Sequence, residues 1–327
     1  MYPDVSLWLS LVFVVGGLYL LTWSANRFVD GSAEMSRKFG VSPFVIGMVV
    51  IGFGTSAPEM AVSALSAASG HSDLSLGNAY GSNIYNIAVI LGVVAMIRPI
   101  VTHTFTAFFS AVMLVCVSLL SGVLVWCGGG FSRLDACVSL AVFAVLLPFS
   151  CWLERKNGAS AQQDAAESAA VGFPLLWTII GLALLVGASH LLVWGAVDIA
   201  RALGISELMV GLTVVAAGTS LPELASAIAS ARKGQNDFVM GNIVGSNFFN
   251  TLAVIGVSGL VRPFSCDGGH VLSRDLWVMV ALSSMIALFG CNFRHWKSRG
   301  VIGRVKGFVW ALSFIAYFAV LLIQECR

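Results

Sequence analysis

Apolar runs of 18 or more residues recur along the whole chain. Each is long enough to cross about 30 Å of hydrocarbon as a helix. With 58% hydrophobic and only 10% charged residues, the sequence cannot cover its surface with charge, since soluble domains carry about 25%. Lipid offers a bare backbone amide no partner, so helices are the natural spanning element. The residue alternation of an outer-membrane barrel is absent. These features predict an all-α membrane protein.

Turn signals divide the runs into ten spans, centred near Phe13, Val50, Ala88, Val115, Val142, Leu184, Val215, Ala253, Val280 and Ile315. The first run lacks the basic flank and small-residue cleavage site of a secretory signal. An Ala/Ser/Gln-rich stretch at 157–172 reads as a flexible linker between five spans and five more. The implied organisation is a first five-helix repeat over residues 1–153, a cytoplasmic linker over 154–173 and a second five-helix repeat over 174–327. With ten spans, thirteen of the 18 Lys and Arg residues fall on one side of the membrane and five on the other. The richer side, which includes Arg98, Arg232 and Lys233, is expected to be cytoplasmic, with both termini outward.

The second half of the chain repeats the first. Gly54-Thr55-Ser56-Ala57-Pro58-Glu59 returns 164 residues later as Gly218-Thr219-Ser220-Leu221-Pro222-Glu223. Gly77-Asn78 and Gly81-Ser82-Asn83…Asn86 return at the same offset as Gly241-Asn242 and Gly245-Ser246-Asn247…Asn250. The register also joins Gly40 to Gly204, Asp73 to Asp237 and Arg98-Pro99 to Arg262-Pro263. Roughly two in five positions match without a gap, a self-similarity that defines a repeat. An odd number of spans per copy makes the second copy enter the membrane inverted, the plan of many secondary transporters. A duplicated packing unit without a site is the plainer reading. Against it, the matched set includes ionisable and amide side chains that packing does not require.

Glu59 and Glu223 lie in apolar helices with no Lys or Arg in the same spans. A carboxylate at that depth costs about 2.5–3.5 kcal/mol or more and normally faces a cavity or a partner. Protonated, each could instead bond a neighbouring helix; ionised, the pair calls for a cation. Pro58 and Pro222 withhold a backbone donor and should break the helix, freeing carbonyls near Thr55 and Thr219. Thr55, Ser56 and Glu59 share one broad helix face, as do Thr219, Ser220 and Glu223. On the next span, Ser82, Asn83 and Asn86 form a second oxygen-bearing face, matched by Ser246, Asn247 and Asn250. This is a hard-oxygen set suited to Ca²⁺, to several Na⁺ or to protons. Nothing in it suits zinc or copper. Ions competing for one charge-limited site suffice for antiport.

At these residues the chain resembles the Ca²⁺/cation antiporter superfamily, most closely its prokaryotic sodium/calcium exchanger branch. Both the doubled Gly-Thr-Ser-x-Pro-Glu and the doubled Gly-Asn-x-x-Gly-Ser-Asn-x-x-Asn segments look like that family's α-repeat signatures. The resemblance implies an antiporter exchanging Ca²⁺ for Na⁺ in the bacterial inner membrane, without enzymatic activity or a cofactor. It implies that Glu59, Glu223 and the carbonyls of Thr55 and Thr219 bind Ca²⁺. Ser56, Ser220, Ser82 and Ser246 would help hold Na⁺, with Asn86 and Asn250 lining the middle. The first and sixth spans would be sliding helices, and Gly16, Gly17 and Gly181 are compatible with that. Some members carry Asp where this chain has Asn250, which makes potassium co-transport less expected here. The family's proton-coupled branch also uses paired glutamates, so a H⁺-coupled Ca²⁺ antiporter is the alternative. A passive cation channel is the further one, although channels usually close a pore by rotational symmetry.

Other candidates carry less. An intramembrane protease would need a dyad of aspartates rather than glutamates in duplicated shells. The seven cysteines form no C-x-x-C pair and read as small apolar helix residues. The five histidines are dispersed, with His190 a weak proton-relay candidate. The basic cluster from Arg294 to Lys306 suits topology and anionic-lipid contact better than nucleotide or nucleic acid. Asp73 and Asp237 suit helix capping. No obligate protein partner is indicated.

Overall fold

The computed structural model describes residues 7–69, 72–127, 129–157, 172–204, 216–265, 271–296 and 298–325, and they are mostly helical. In chain order the first helices are α1 (Leu7–Phe39), α2 (Pro43–Thr55), α3 (Ala57–Ala68), α4 (Ser75–Ile97), α5 (Thr104–Cys127) and α6 (Arg133–Lys156). The second set is α7 (Pro174–Ala202), α8 (Ala216–Thr219), α9 (Leu221–Arg232), α10 (Asn236–Val261), α11 (Leu272–Gly290) and α12 (Arg304–Gln324). Eight of these are each long and apolar enough to cross a membrane, and α2 with α3, bent by 44° at their junction, pass the same test as a pair. The expected seventh span is described only from Ala216 onward, because residues 205–215 lie outside the described residues. So do most of the expected linker (158–171), His71, Cys266, His270, Lys297, Cys326 and Arg327.

The bend has a local cause. Pro58 has no N–H for the carbonyl of Gly54 one turn earlier, and its ring crowds the preceding turn. The chain resumes as α3 from Ser56, whose ψ of 2° departs from the helix. Ser220, with ψ 11°, starts α9 in the same way ahead of Pro222. At α2 the start is set by Ser42, whose hydroxyl accepts from Val45 N at 3.3 Å, with Pro43 in the first turn.

Burial ranks the helices from centre to rim. In its most apolar window α10 is 89% buried, whereas α12 is 11% buried. The rim exposes Trp8, Val145, Leu134, Val305 and Ile315, an apolar exterior suited to lipid. The centre depends on glycine where α2 crosses α10. A Cβ on Gly241 would lie 2.3 Å from Phe44 O, and one on Gly245 would lie 2.3 Å from Met48 O. Two backbones this close exclude any side chain between them.

Helices α1 and α7 pack against each other along their length. At 33 and 29 residues they span about 50 and 44 Å, well beyond the hydrocarbon thickness. Gly17 and Gly31 of α1, and their matched residues Gly181 and Gly195 of α7, all sit in this seam.

Two short antiparallel ladders join the halves. β1 (Ile100–His103) pairs with β4 (Arg299–Ile302), and β2 (Gly130–Phe131) pairs with β3 (Phe264–Ser265). β1 leads into α5 and β2 follows it, so the ladders stand at opposite ends of the bundle.

Candidate cation site

The two proline breaks place Glu59 and Glu223 in the first turns of α3 and α9. Both side chains are fully buried. A helix N-terminus is the position where the macrodipole best tolerates a carboxylate, but its contribution of up to about 2 kcal/mol does not cover full burial. The two carboxylates are near enough to interact electrostatically.

Each is oriented from the opposite half. Ser220 Oγ donates to Glu59 Oε1 at 3.1 Å, and Ser56 Oγ donates to Glu223 Oε1 at 3.3 Å. The threonines at the same breaks, Thr219 and Thr55, also engage Glu59 and Glu223 respectively through their side chains. Thr55 Oγ1 in addition donates to Ile51 O at 2.9 Å. Ser246 Oγ reaches Gly52 O at 3.3 Å and lies 3.5 Å from Thr55 Oγ1, which fastens α10 to the first break.

Asparagines on α4 and α10 complete the centre. Asn86 Nδ2 donates to Asn247 Oδ1 at 3.0 Å, and Asn83 Nδ2 donates to Thr251 Oγ1 at 2.7 Å. Five buried acceptor oxygens are left without a hydrogen-bond partner: Glu59 Oε2, Glu223 Oε2, Asn83 Oδ1, Asn86 Oδ1 and Asn250 Oδ1. The amide nitrogens of Asn247 and Asn250 are also unpaired. Buried polar atoms are nearly always paired, so unpaired oxygens on both halves single out these helices as a candidate site. Asn86 and Asn250 fall on widened turns, Asn86–Leu91 and Phe249–Val254, a distortion frequent at functional sites.

Of the ten residues singled out in the sequence, nine are buried: Thr55, Ser56, Glu59, Ser82, Asn86, Ser220, Glu223, Ser246 and Asn250. Thr219 is half-buried. The hydrogen bonds bring the breaks and the asparagine helices together; Ser82 lies one turn before Asn86 on α4.

Two kinds of residue were missed. Asn78 Nδ2 donates to Glu59 O at 3.3 Å and to Ser63 Oγ at 2.9 Å. Asn242 Nδ2 does the same to Glu223 O at 3.2 Å and Ser226 Oγ at 3.0 Å. These amides brace the glutamate-bearing helices, and their shared offset was the signal that could have found them. Ser189 of α7 carries no such signal. Its hydroxyl donates at 2.8 Å to Gly218 O, the carbonyl that Pro222 leaves without a helical donor.

A model of the sodium/calcium exchanger protein family matches residues 9–152 and 173–323, nearly the whole chain. The chain belongs to the sodium/calcium exchanger family. Its members are transporters, and membership makes this multi-pass protein a cation antiporter of the Ca²⁺-exchanging type. This exchanger is 38% identical to CaxA of Alkalimonas amylolytica, over 94% of its own length and 97% of that protein's. It is 36% identical to the inner membrane protein YrbG of Escherichia coli, over 96% and 97% of the two chains. Among solved structures it superposes on the sodium-calcium exchanger NCX_Mj with a TM-score of 0.81 at 32% identity, covering 95% of this chain and 98% of that one.

Proposed function

We propose that the protein exchanges Ca²⁺ for Na⁺ across the bacterial inner membrane by alternating access. In this reading it has ten spans arranged as two inverted five-helix repeats, residues 1–153 and 174–327, with a cytoplasmic linker and outward termini. Glu59, Glu223 and the carbonyls of Thr55 and Thr219 hold Ca²⁺. Ser56, Ser220, Ser82, Ser246, Asn86 and Asn250 hold Na⁺ or line the cavity between them.

The observation that carries this reading is the pair of fully buried carboxylates, each with one oxygen bonded across the halves and the other unpaired. Two uncompensated carboxylates cost several kcal/mol each in a dry interior. A Ca²⁺ ion offsets both charges and takes six to eight oxygens. Several Na⁺ ions offset them equally well. An occluded state holding neither ion carries the full penalty, so the site changes sides readily only when loaded, and this is what couples the two fluxes. Relatives named as an inner membrane protein and a sodium-calcium exchanger support the location and the ions.

The test is ⁴⁵Ca²⁺ uptake into vesicles containing the purified protein, under an imposed Na⁺ gradient and, separately, under a pH gradient. Uptake driven by Na⁺ alone is expected. Uptake driven only by the pH gradient would transfer the coupling to H⁺, and uptake with no counter-gradient would favour a channel.

A further inference from the structure

Helix α9 carries Glu223 at its start and is fastened firmly at its other end. It stops at Gly234, whose φ of +74° turns the chain away. Lys233, just before that turn, extends to α1: its Nζ lies 2.7 Å from Asp30 Oδ1 and donates to Asn26 O at 3.0 Å. The side chains of this ion pair are only 23% and 16% exposed, so water and salt screen it less than a surface pair. Arg98, beyond α4, holds the same turn, donating to Arg232 O at 2.9 Å and Ala231 O at 3.3 Å.

The opposite end of the molecule repeats part of this arrangement. Arg262 matches Arg98 at the 164-residue offset, and it reaches Ala68 O at 3.5 Å, at the end of the glutamate-bearing helix α3. The arginine cap is therefore duplicated. The ion pair is not, because Lys233 corresponds to Ser69 and Asp30 to Trp194, neither of which carries charge. At these matched positions, the charged tie stands at one end of the fold and not at the other.

We propose that the Lys233–Asp30 pair is a one-sided latch that holds the cytoplasmic end of α9 against α1 and so positions Glu223 in the cytoplasm-closed state. The inference rests on the alternating-access reading and adds an inequality to it. In an inverted pair the two ends of the bundle become the two gates. An ion pair made when one gate is closed and lost when it opens, with no counterpart at the matched positions of the other gate, tilts the equilibrium between access states. Lys233 and Asp30 act through helix position and touch no transported ion.

The consequence is measurable as side-specific affinity, since apparent affinity scales with the fraction of protein open to that side. Half-saturating Ca²⁺ is measured from the cytoplasmic face and from the outer face of vesicles in which the full-length protein is uniformly oriented. In Lys233→Met and Asp30→Asn the ratio of cytoplasmic to outer constants is expected to fall about five- to tenfold, with maximal rate changed less. Lys233→Arg keeps the pair and should match the parent. The exchange of charges, Asp30→Lys with Lys233→Asp, should bring the ratio back toward the parent value. A purely structural tie would lower the yield of folded protein without moving the two constants in opposite directions. An unchanged ratio in both neutral variants, with exchange intact, overturns the latch alone. A parent protein that takes up no Ca²⁺ under either gradient overturns the exchange reading and the latch with it.

Discussion

Ser220 donates a hydrogen bond to Oε1 of Glu59 across 3.1 Å, although the two residues stand 161 positions apart in the chain. The reciprocal bond, Ser56 to Glu223, closes across 3.3 Å. Each glutamate side chain thus takes a hydrogen bond from the opposite half. A displacement of one break relative to the other would alter the hydrogen bonding of both carboxylates at once.

Neutralising either glutamate should stop exchange while sparing the fold. Glu59→Gln and Glu223→Gln are each expected to lower Na⁺-driven Ca²⁺ uptake at least about 30-fold, since removing one partner of a buried charge pair costs about 2–5 kcal/mol. Without ions, the melting temperature should hold steady or rise, because a buried charge has been replaced by an amide. Ca²⁺ should raise the melting temperature of the parent, by the equivalent of about 2.7 kcal/mol at a hundred times the dissociation constant. In either variant that rise should vanish. A variant that keeps the Ca²⁺-dependent rise would remove its glutamate from the site.

The two serine bonds are long, so each should contribute near the lower end of a hydrogen bond to a charged group. Ser56→Ala and Ser220→Ala are each expected to raise half-saturating Ca²⁺ about five- to tenfold, for a loss of about 1–1.5 kcal/mol. Both substitutions should have closely similar effects, because the bonds are reciprocal. Measuring the two side by side decides it: an effect confined to one serine would mean that one carboxylate is oriented by other groups.

Much of this site was legible in the sequence because proline and a fixed offset act locally. Pro58 and Pro222 break their helices wherever they stand, and the 164-residue repeat attached a glutamate to each break. Symmetry of sequence did not carry over into symmetry of bonding. Asn83 finds Thr251, but the position matching Thr251 is Ile87, which can accept nothing, and Asn250 is left with both side-chain atoms unpaired. Ser189 reaches Gly218 O, whereas Ala25 stands at the matched position of α1. Contacts of this kind join residues far apart in sequence without any period, so no pattern of spacing could announce them. The break expected at Pro58 is present as a 44° bend between α2 and α3.

That uneven bonding separates two asparagines by experiment. Asn250→Ala removes a side chain that makes no hydrogen bond, so it strands no partner and should cost less stability than Asn83→Ala. Its effect should fall on transport, as weaker binding or altered Na⁺ dependence. Asn83→Ala removes bonds to Thr251 and to the sulfur of Met279, at a cost of about 0.5–1.5 kcal/mol for each hydrogen bond lost. Melting curves and ⁴⁵Ca²⁺ uptake on the same preparations distinguish the two. Equal destabilisation by both substitutions would show that Asn250 is held by the fold rather than left available to ions.

The crossing of α2 over α10 yields the last prediction. A Cβ on Gly245 would stand 2.3 Å from Met48 O and 2.7 Å from Met48 Cα. Both obstacles are backbone, so no side chain can rotate aside, and the helices must separate to admit a methyl group. Gly245→Ala should therefore destabilise the protein by at least the 1–3 kcal/mol typical of an overpacked interior. It should also weaken Ca²⁺ binding, because Ser246, next in the chain, ties α10 to the first break through Gly52 O at 3.3 Å. Gly303→Ala is the control, since its Cβ would meet nothing within 4 Å, and it should melt with the parent. If Gly245→Ala keeps both the melting temperature and the half-saturating Ca²⁺ of the parent, α2 and α10 have room to separate, and their close packing is not what sets the geometry of the site.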